Sequence, residues 1–101
     1  MIPITKVRDL ILKHEMLEKE LSSGKVDKKK FAEKSKEYSD LNDIIKGAKE
    51  YNSFESDRKD LEKIINDQNS DVDMKKLAEA ELEHLIKKNE FNEKKIKLFL
   101  L

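Results

Sequence analysis

The chain has 101 residues, 44% of them charged and 37% hydrophobic, and its 22 basic and 22 acidic residues leave no net charge. This length suits one domain rather than two, and the balanced charge requires neither a nucleic acid nor a membrane as partner. Two glycines, one proline and no cysteine exclude a disulfide framework and favour long exposed helices over a sheet.

The first predicted helix runs from about Pro3 to Leu21. Proline is tolerated in a first turn because the N–H that it lacks has no partner there. Ser22, Ser23 and Gly24 end the helix, with Gly24 as a left-handed C-cap. Spacing of three and four residues gives one buried stripe, made of Val7, Leu10, Ile11, His14, Leu17 and Leu21.

The second predicted helix begins after Asp27, which can cap it, and ends at about Asn66. If it is unbroken it has about 39 residues and a length of about 58 Å. Gly47 is the expected place of a bend, and Asn52-Ser53 is a second weak point, so a break at either would give two shorter helices. Its apolar stripe is made of Phe31, Tyr38, Leu41, Ile45, Ala48, Tyr51, Phe54, Leu61 and Ile65.

The third predicted helix follows the polar cluster 66–71 and is capped by Asp71 or Asp73. Its apolar residues are Met74, Leu77, Ala78, Leu82, Leu85, Ile86, Ile96 and Phe99. Asn89 and Asn92 interrupt this stripe, so we expect the distal half of the helix to pack poorly or against something outside the chain.

Three amphipathic helices with short connections predict an all-α fold, an elongated antiparallel bundle of about three helices with the second and third long. The heptad pattern drifts along the chain, which disfavours a long two-stranded coiled coil. No apolar run is long enough to span a membrane and no secretory signal is present. We therefore predict a soluble, cytoplasmic chain with no membrane partner.

The sequence contains no recognisable active site. His14 falls on the apolar stripe, where a single histidine is more often packed than a ligand, and His84 is expected in solvent. No histidine pair has metal-ligand spacing, and two isolated glycines cannot form a phosphate-binding loop. We predict no catalytic residue, no metal and no cofactor, and therefore no enzyme.

Lys28, Lys29 and Lys30 form the densest basic run, at one tip of the predicted bundle. Such a cluster can grip phosphates, although the positive end of the helix dipole disfavours cations there. The alternative interpretation is a solvated tip without a ligand. The aromatic residues Phe31, Tyr38, Tyr51 and Phe54 have helical spacing and are expected in the core rather than stacked on bases.

The sequence ends in the apolar run Ile96-Lys97-Leu98-Phe99-Leu100-Leu101. Large apolar side chains left in water forfeit on the order of 1.5–3 kcal/mol each. We therefore expect residues 1–101 to be a single helical domain of a longer, truncated protein.

Three segments resemble the N-terminal domain of bacterial class I peptide chain release factors. The first is a Phe followed by Ser-Lys-Glu-Tyr and a Leu, at Phe31, Ser35, Lys36, Glu37, Tyr38 and Leu41. The second is Asp-Met-Lys-Lys-Leu-Ala at 73–78, running into Glu81-Leu82, and the third is the leucine run at Leu98, Leu100 and Leu101. The lack of tryptophan fits the form that reads UAA and UAG better than its UGA-reading sister.

The resemblance implies a role in translation termination, in which the factor recognises a stop codon and promotes hydrolysis of peptidyl-tRNA. In the family, the Gly-Gly-Gln loop and the Pro-x-Thr codon reader lie in later domains, and no Gly-Gly-Gln occurs in this sequence. The domain would instead bind the ribosome, at the rRNA and protein of the large-subunit stalk base, and contact the translational GTPase that recycles the factor. Lys28, Lys29 and Lys30 are the predicted ribosome contacts.

A different class of function remains open from the sequence: a helical adaptor or a coiled-coil oligomerisation segment of an unrelated protein. That alternative predicts dimers through the apolar stripe from Phe31 to Ile65, whereas the release-factor interpretation predicts a monomer. Sedimentation at two concentrations distinguishes them.

Overall fold

The computed structural model describes all residues, 1–101, and contains three helices and no strand. They are α1 (Ile4–Ser22), α2 (Lys28–Asn66) and α3 (Val72–Leu100). The molecule measures 60 × 28 × 19 Å. With its 39 residues, α2 extends along nearly the whole of the longest dimension. The predicted all-α class and the elongated antiparallel architecture are confirmed. None of the three helices combines the length and apolar character needed to cross a membrane.

The first helix lies antiparallel to the first half of α2. Lys13 pairs with Glu37 and Glu20 pairs with Lys34, so residue numbers rise along α1 as they fall along α2. Farther from the connecting loop, the hydroxyl of Tyr51 accepts a hydrogen bond from the backbone N–H of Ile2 at 3.1 Å. The stretch of α2 beyond Tyr51 therefore extends past the start of α1.

The third helix lies antiparallel along the rest of α2. Lys88 pairs with Glu50 at 3.2 Å, and the ammonium of Lys95 donates to the backbone carbonyl of Asp43 at 3.4 Å. Both α1 and α3 pack on α2 rather than along each other. The molecule is thus two helical hairpins that share α2 and overlap in its middle.

The core lies where the two hairpins overlap. Its buried residues come from the N-terminal segment and from all three helices: Ile2, Val7, Leu17, Leu41, Ile44, Ala48, Tyr51 and Ile96. Burial of each large side chain stabilises the fold by about 1.5–3 kcal/mol. The predicted stripes of α1 and α2 supply most of this set, through Val7, Leu17, Leu41, Ala48 and Tyr51.

The helix ends follow the sequence signals. Gly24 has φ of +73°, the left-handed conformation predicted for it after α1. The Asp27 carboxylate accepts from the Lys29 backbone N–H at 3.4 Å at the start of α2. Of the two candidate caps for α3, the structure selects Asp71, whose carboxylate accepts from the Met74 N–H at 2.7 Å. These caps satisfy backbone donors that the first turns leave free.

His14 is packed, as the sequence predicts. It is 9% exposed, its ring stacks on Tyr38 with centroids 4.8 Å apart, and its Nε2 lies 2.6 Å from Oδ1 of Asn42. His84 is exposed on α3. Neither histidine is part of a cluster of metal-ligating side chains.

The prediction that the distal half of α3 packs poorly or against something outside the chain is wrong for the helix face that meets α2, whereas Phe91 and Leu98 in this half are 61% and 70% exposed. Two of the three buried residues of α3, Asn92 and Ile96, lie in that half, whereas Leu77 near the start is 62% exposed. The reason is a close fit between helices: Asn92 faces Gly47, where an added Cβ would lie 2.9 Å from the Asn92 Oδ1. The helix α2 runs unbroken through Gly47. The missing side chain of this glycine lets α3 approach α2 closely and does not break the helix.

Candidate partner-binding surfaces

The predicted basic cluster lies at the end of the molecule where α1 turns into α2. The loop from Ser23 to Asp27 brings the chain round, and Lys28, Lys29 and Lys30 form the first turn of α2. All three are exposed, and none forms an ion pair. The positive end of the helix dipole adds to their charge, and the carboxylates of Glu20 and Asp27 lie at the same end of the molecule. With Lys25 of the loop, we call Lys28, Lys29 and Lys30 the lysine tip.

The structure does not bring the three predicted lysines into one patch. Successive residues of an α-helix point about 100° apart, so their side chains fan out around the helix start. Only Lys30 lines a shallow depression of about 360 Å³, which it shares with Lys25 and Lys34. The sequence analysis missed Lys25, because a loop residue three positions before α2 becomes a neighbour of its first turn only through the left-handed turn at Gly24.

Phe31, next to the lysine tip, is not in the core, where the sequence analysis placed it. It is 49% exposed rather than part of the core, whereas Tyr51 on the same predicted stripe is buried. Phe31 lies one turn into α2, beyond the stretch that α1 and α3 cover together. The lysine tip therefore carries an accessible aromatic ring, which helical spacing alone does not reveal.

A second concave surface, the α2–α3 groove, lies between the second and third helices and has a volume of about 710 Å³. Apolar side chains of Phe54, Leu61 and Leu85 line it, together with carboxylates of Asp57, Asp60 and Glu81. Sequence analysis did not identify this groove, because the relative register of two helices decides which residues face each other across it.

Glu50 lies at the end of this groove nearest the core and is held by two donors from α3. The Asn92 amide and the Lys88 ammonium each donate to its Oε2 at 3.2 Å. Burial of the Glu50 carboxylate raises its pKa, but these two hydrogen bonds and the lysine charges outweigh burial and hold the pKa below its ordinary value. Glu50 is therefore a charged structural link between α2 and α3.

No group of three or more histidine, aspartate or glutamate side chains is placed to hold a metal ion. The two histidines lie on different helices, and His14 is enclosed by Tyr38 and Asn42. What the surface offers is a cationic end and an acidic groove, two features of opposite charge on one rigid frame.

Comparison with known proteins identifies the family. The PCRF domain model matches residues 10–101. The chain is 62% identical over all its 101 residues to peptide chain release factor 1 of Pelagibacter ubique, covering 28% of that protein. It is 44% identical over 71 residues (70% of the chain) to peptide chain release factor 1 of Ehrlichia ruminantium, covering 20% of it.

Peptide chain release factor 1 of Bartonella tribocorum is 29% identical over 100 residues, 99% of the chain and 28% of that protein. The chain thus spans less than a third of the length of these relatives. No solved structure matches it. The match to the family model over nearly the whole chain shows that this protein belongs to the PCRF domain family.

Proposed function

We propose that this chain is the ribosome-binding arm of a peptide chain release factor and acts in translation termination. The observation that carries the proposal is the 62% identity, without a gap in coverage, to peptide chain release factor 1 of Pelagibacter ubique. The family match over residues 10–101 supports it independently of that single relative.

In this proposal the chain positions a factor and does not itself cleave peptidyl-tRNA. No Gly-Gly-Gln occurs in its sequence, and its one Pro-x-Thr tripeptide, Pro3-Ile4-Thr5, forms the start of α1. In this proposal codon reading and hydrolysis belong to other domains. A helical frame 60 Å long with a buried core in its middle is suited to place a contact surface at a distance. The UAA- and UAG-reading form remains our choice within the family.

We propose that the lysine tip contacts the base of the large-subunit stalk, through both rRNA and protein. Lys28, Lys29 and Lys30 are exposed and without acidic partners, so their ammonium groups are available to phosphates. Such contacts release counterions and are steered by charge, which makes them sensitive to salt. The translational GTPase that recycles the factor is the proposed second partner of this arm.

Anisotropy of the fluorescently labelled chain, titrated with ribosomes at several salt concentrations, tests this contact. We expect affinity to fall steeply with salt, and the triple variant K28E/K29E/K30E to bind about tenfold or more weakly, since charge contacts dominate such binding. The matched control is K49E/K59E/K94E. It reverses the charge of three lysines that lie away from the lysine tip, are exposed and form no ion pair.

Equal loss of affinity in the two triple variants would mean that net charge alone matters and would overturn the lysine tip as the contact. Tight binding that does not respond to salt would also contradict it. Neither result would affect the family membership, which rests on the sequence comparison.

A further inference from the structure

The α2–α3 groove is long enough to hold a short helix. On α2 its lining extends from Glu50 to Leu61, and on α3 from Ala80 to Asn92. At 1.5 Å per residue these stretches are about 16 and 18 Å long, which equals about three turns of a partner helix. No residue of α1 lines the groove, so nothing in the chain covers it.

The floor and the rim of the groove differ in character. Phe54, Leu61 and Leu85 are only half-buried, so part of their apolar surface stays in solvent. At the rim, Asp57 accepts a hydrogen bond from the Ser53 hydroxyl at 3.1 Å, but no lysine or arginine pairs with Asp57, Asp60 or Glu81. In a chain with no net charge, this is a local excess of negative charge beside exposed apolar surface.

The other polar residues of the lining leave this excess in place. Lys88 is the one lysine that lines the groove, and its ammonium pairs with Glu50 at 3.2 Å. Asn89, one turn after Leu85 on α3, is uncharged and also lines the groove.

We propose that the α2–α3 groove binds a basic amphipathic helical segment of a protein partner. Apolar side chains of that helix would pack on Phe54, Leu61 and Leu85, and flanking lysines or arginines would face Asp57, Asp60 and Glu81. Nucleic acid does not fit, since its phosphates would meet three carboxylates. This inference goes beyond the proposed function, whose ribosome contact is the lysine tip at the opposite end of α2.

The test uses the 101-residue chain and a synthetic amidated helix of three turns, with leucines spaced four residues apart and arginines on the rest of its surface. Backbone NMR signals of the ¹⁵N-labelled chain report where the peptide binds. We expect the largest shifts at Phe54, Leu61, Leu85 and Asn89, with smaller ones at the lysine tip. A peptide with glutamates in place of the arginines should not bind.

Charge-reversal variants locate the site independently. Asp60 and Glu81 are exposed and have no ion pair, so the variant D60K/E81K should keep the fold. Its affinity for the arginine peptide should be about tenfold lower than that of the unmodified chain. The control E79K/E90K reverses two exposed, unpaired carboxylates outside the groove lining and should change affinity less than about twofold. Circular dichroism checks that both variants stay helical.

Three results would overturn the proposal. The first is equal weakening by the two double variants. The second is binding of the glutamate peptide as tightly as the arginine peptide, which would leave only apolar contact. The third is spermidine or a single-stranded RNA shifting the groove signals at the same concentration as the peptide. Ribosome binding through the lysine tip is measured separately, so failure here leaves the proposed function standing.

Discussion

At the scale of single residues, the contact between Gly47 and Asn92 explains how α2 and α3 come together. Asn92 is 5% exposed, donates to Glu50 at 3.2 Å and lies against the bare backbone at Gly47. In the sequence, an asparagine on an apolar stripe and a glycine inside a helix each indicate a defect. Their complementarity depends on the register between helices, which periodicity within one helix does not contain.

We expect Gly47→Ala to lower the free energy of unfolding by about 1 kcal/mol, although the same change in an open helix would raise it by about that amount. The new Cβ would lie 2.9 Å from the Asn92 Oδ1, and moving that side chain breaks its bond to Glu50. Urea denaturation of the single variants and the double variant measures the effect. In the Asn92→Ala background Gly47→Ala should become stabilising; a loss of equal size in both backgrounds would show that Asn92 is not the cause.

Glu50 predicts how stability responds to acid. Because its folded-state pKa lies below the ordinary value, the charged carboxylate favours the folded protein. That contribution is complete above the ordinary pKa and is lost as the pH falls through it towards the lower folded-state value. We therefore expect the unfolding free energy to fall as the pH is lowered through the ordinary glutamate pKa, and to fall less in Glu50→Gln. Glu79→Gln, at an exposed position without an ion pair, should leave the pH profile unchanged, and an unchanged profile in Glu50→Gln would contradict this assignment.

At the scale of elements, local signals determine the helix limits well. The turn at Gly24, the cap at Asp27 and the polar cluster before α3 each act through the residues next to them, so the sequence predicts them correctly. Contacts across helices are another matter: the exposure of Phe31 and Leu77 follows from where neighbouring helices end. The α2–α3 groove is unpredictable for the same reason.

The choice between two adjacent aspartates at the start of α3 gives a direct test of capping. Asp71 accepts from the Met74 N–H at 2.7 Å, whereas Asp73 lies in the first turn without a capping bond. Asp71→Ala should cost about 1 kcal/mol of unfolding free energy. Asp73→Ala loses only its interaction with the helix dipole, about 0.3 kcal/mol or slightly more. Thermal denaturation of both variants decides; an equal or larger loss in Asp73→Ala would contradict the assigned cap.

At the scale of the whole molecule, the shared helix α2 gives the protein two ends of different character. One end is the lysine tip, and the other is the α2–α3 hairpin with its acidic groove. The apolar stripe of α2 that would serve a coiled-coil dimer is buried at its centre by α1 and α3, through Leu41, Ile44, Ala48 and Tyr51. A dimer through that stripe would have to open the bundle, which favours a monomeric arm.

The most direct test of the proposed role is a chimeric factor. The region of Pelagibacter ubique peptide chain release factor 1 that matches this chain is replaced by the chain itself, or by an unrelated three-helix bundle as control. Peptidyl-tRNA hydrolysis is then measured on ribosomes with a UAA codon in the decoding site. A release-factor arm predicts kcat/KM within about threefold of the parent for the chain and a much lower value for the unrelated bundle. If the chain performs no better than the unrelated bundle, it is not a release-factor arm.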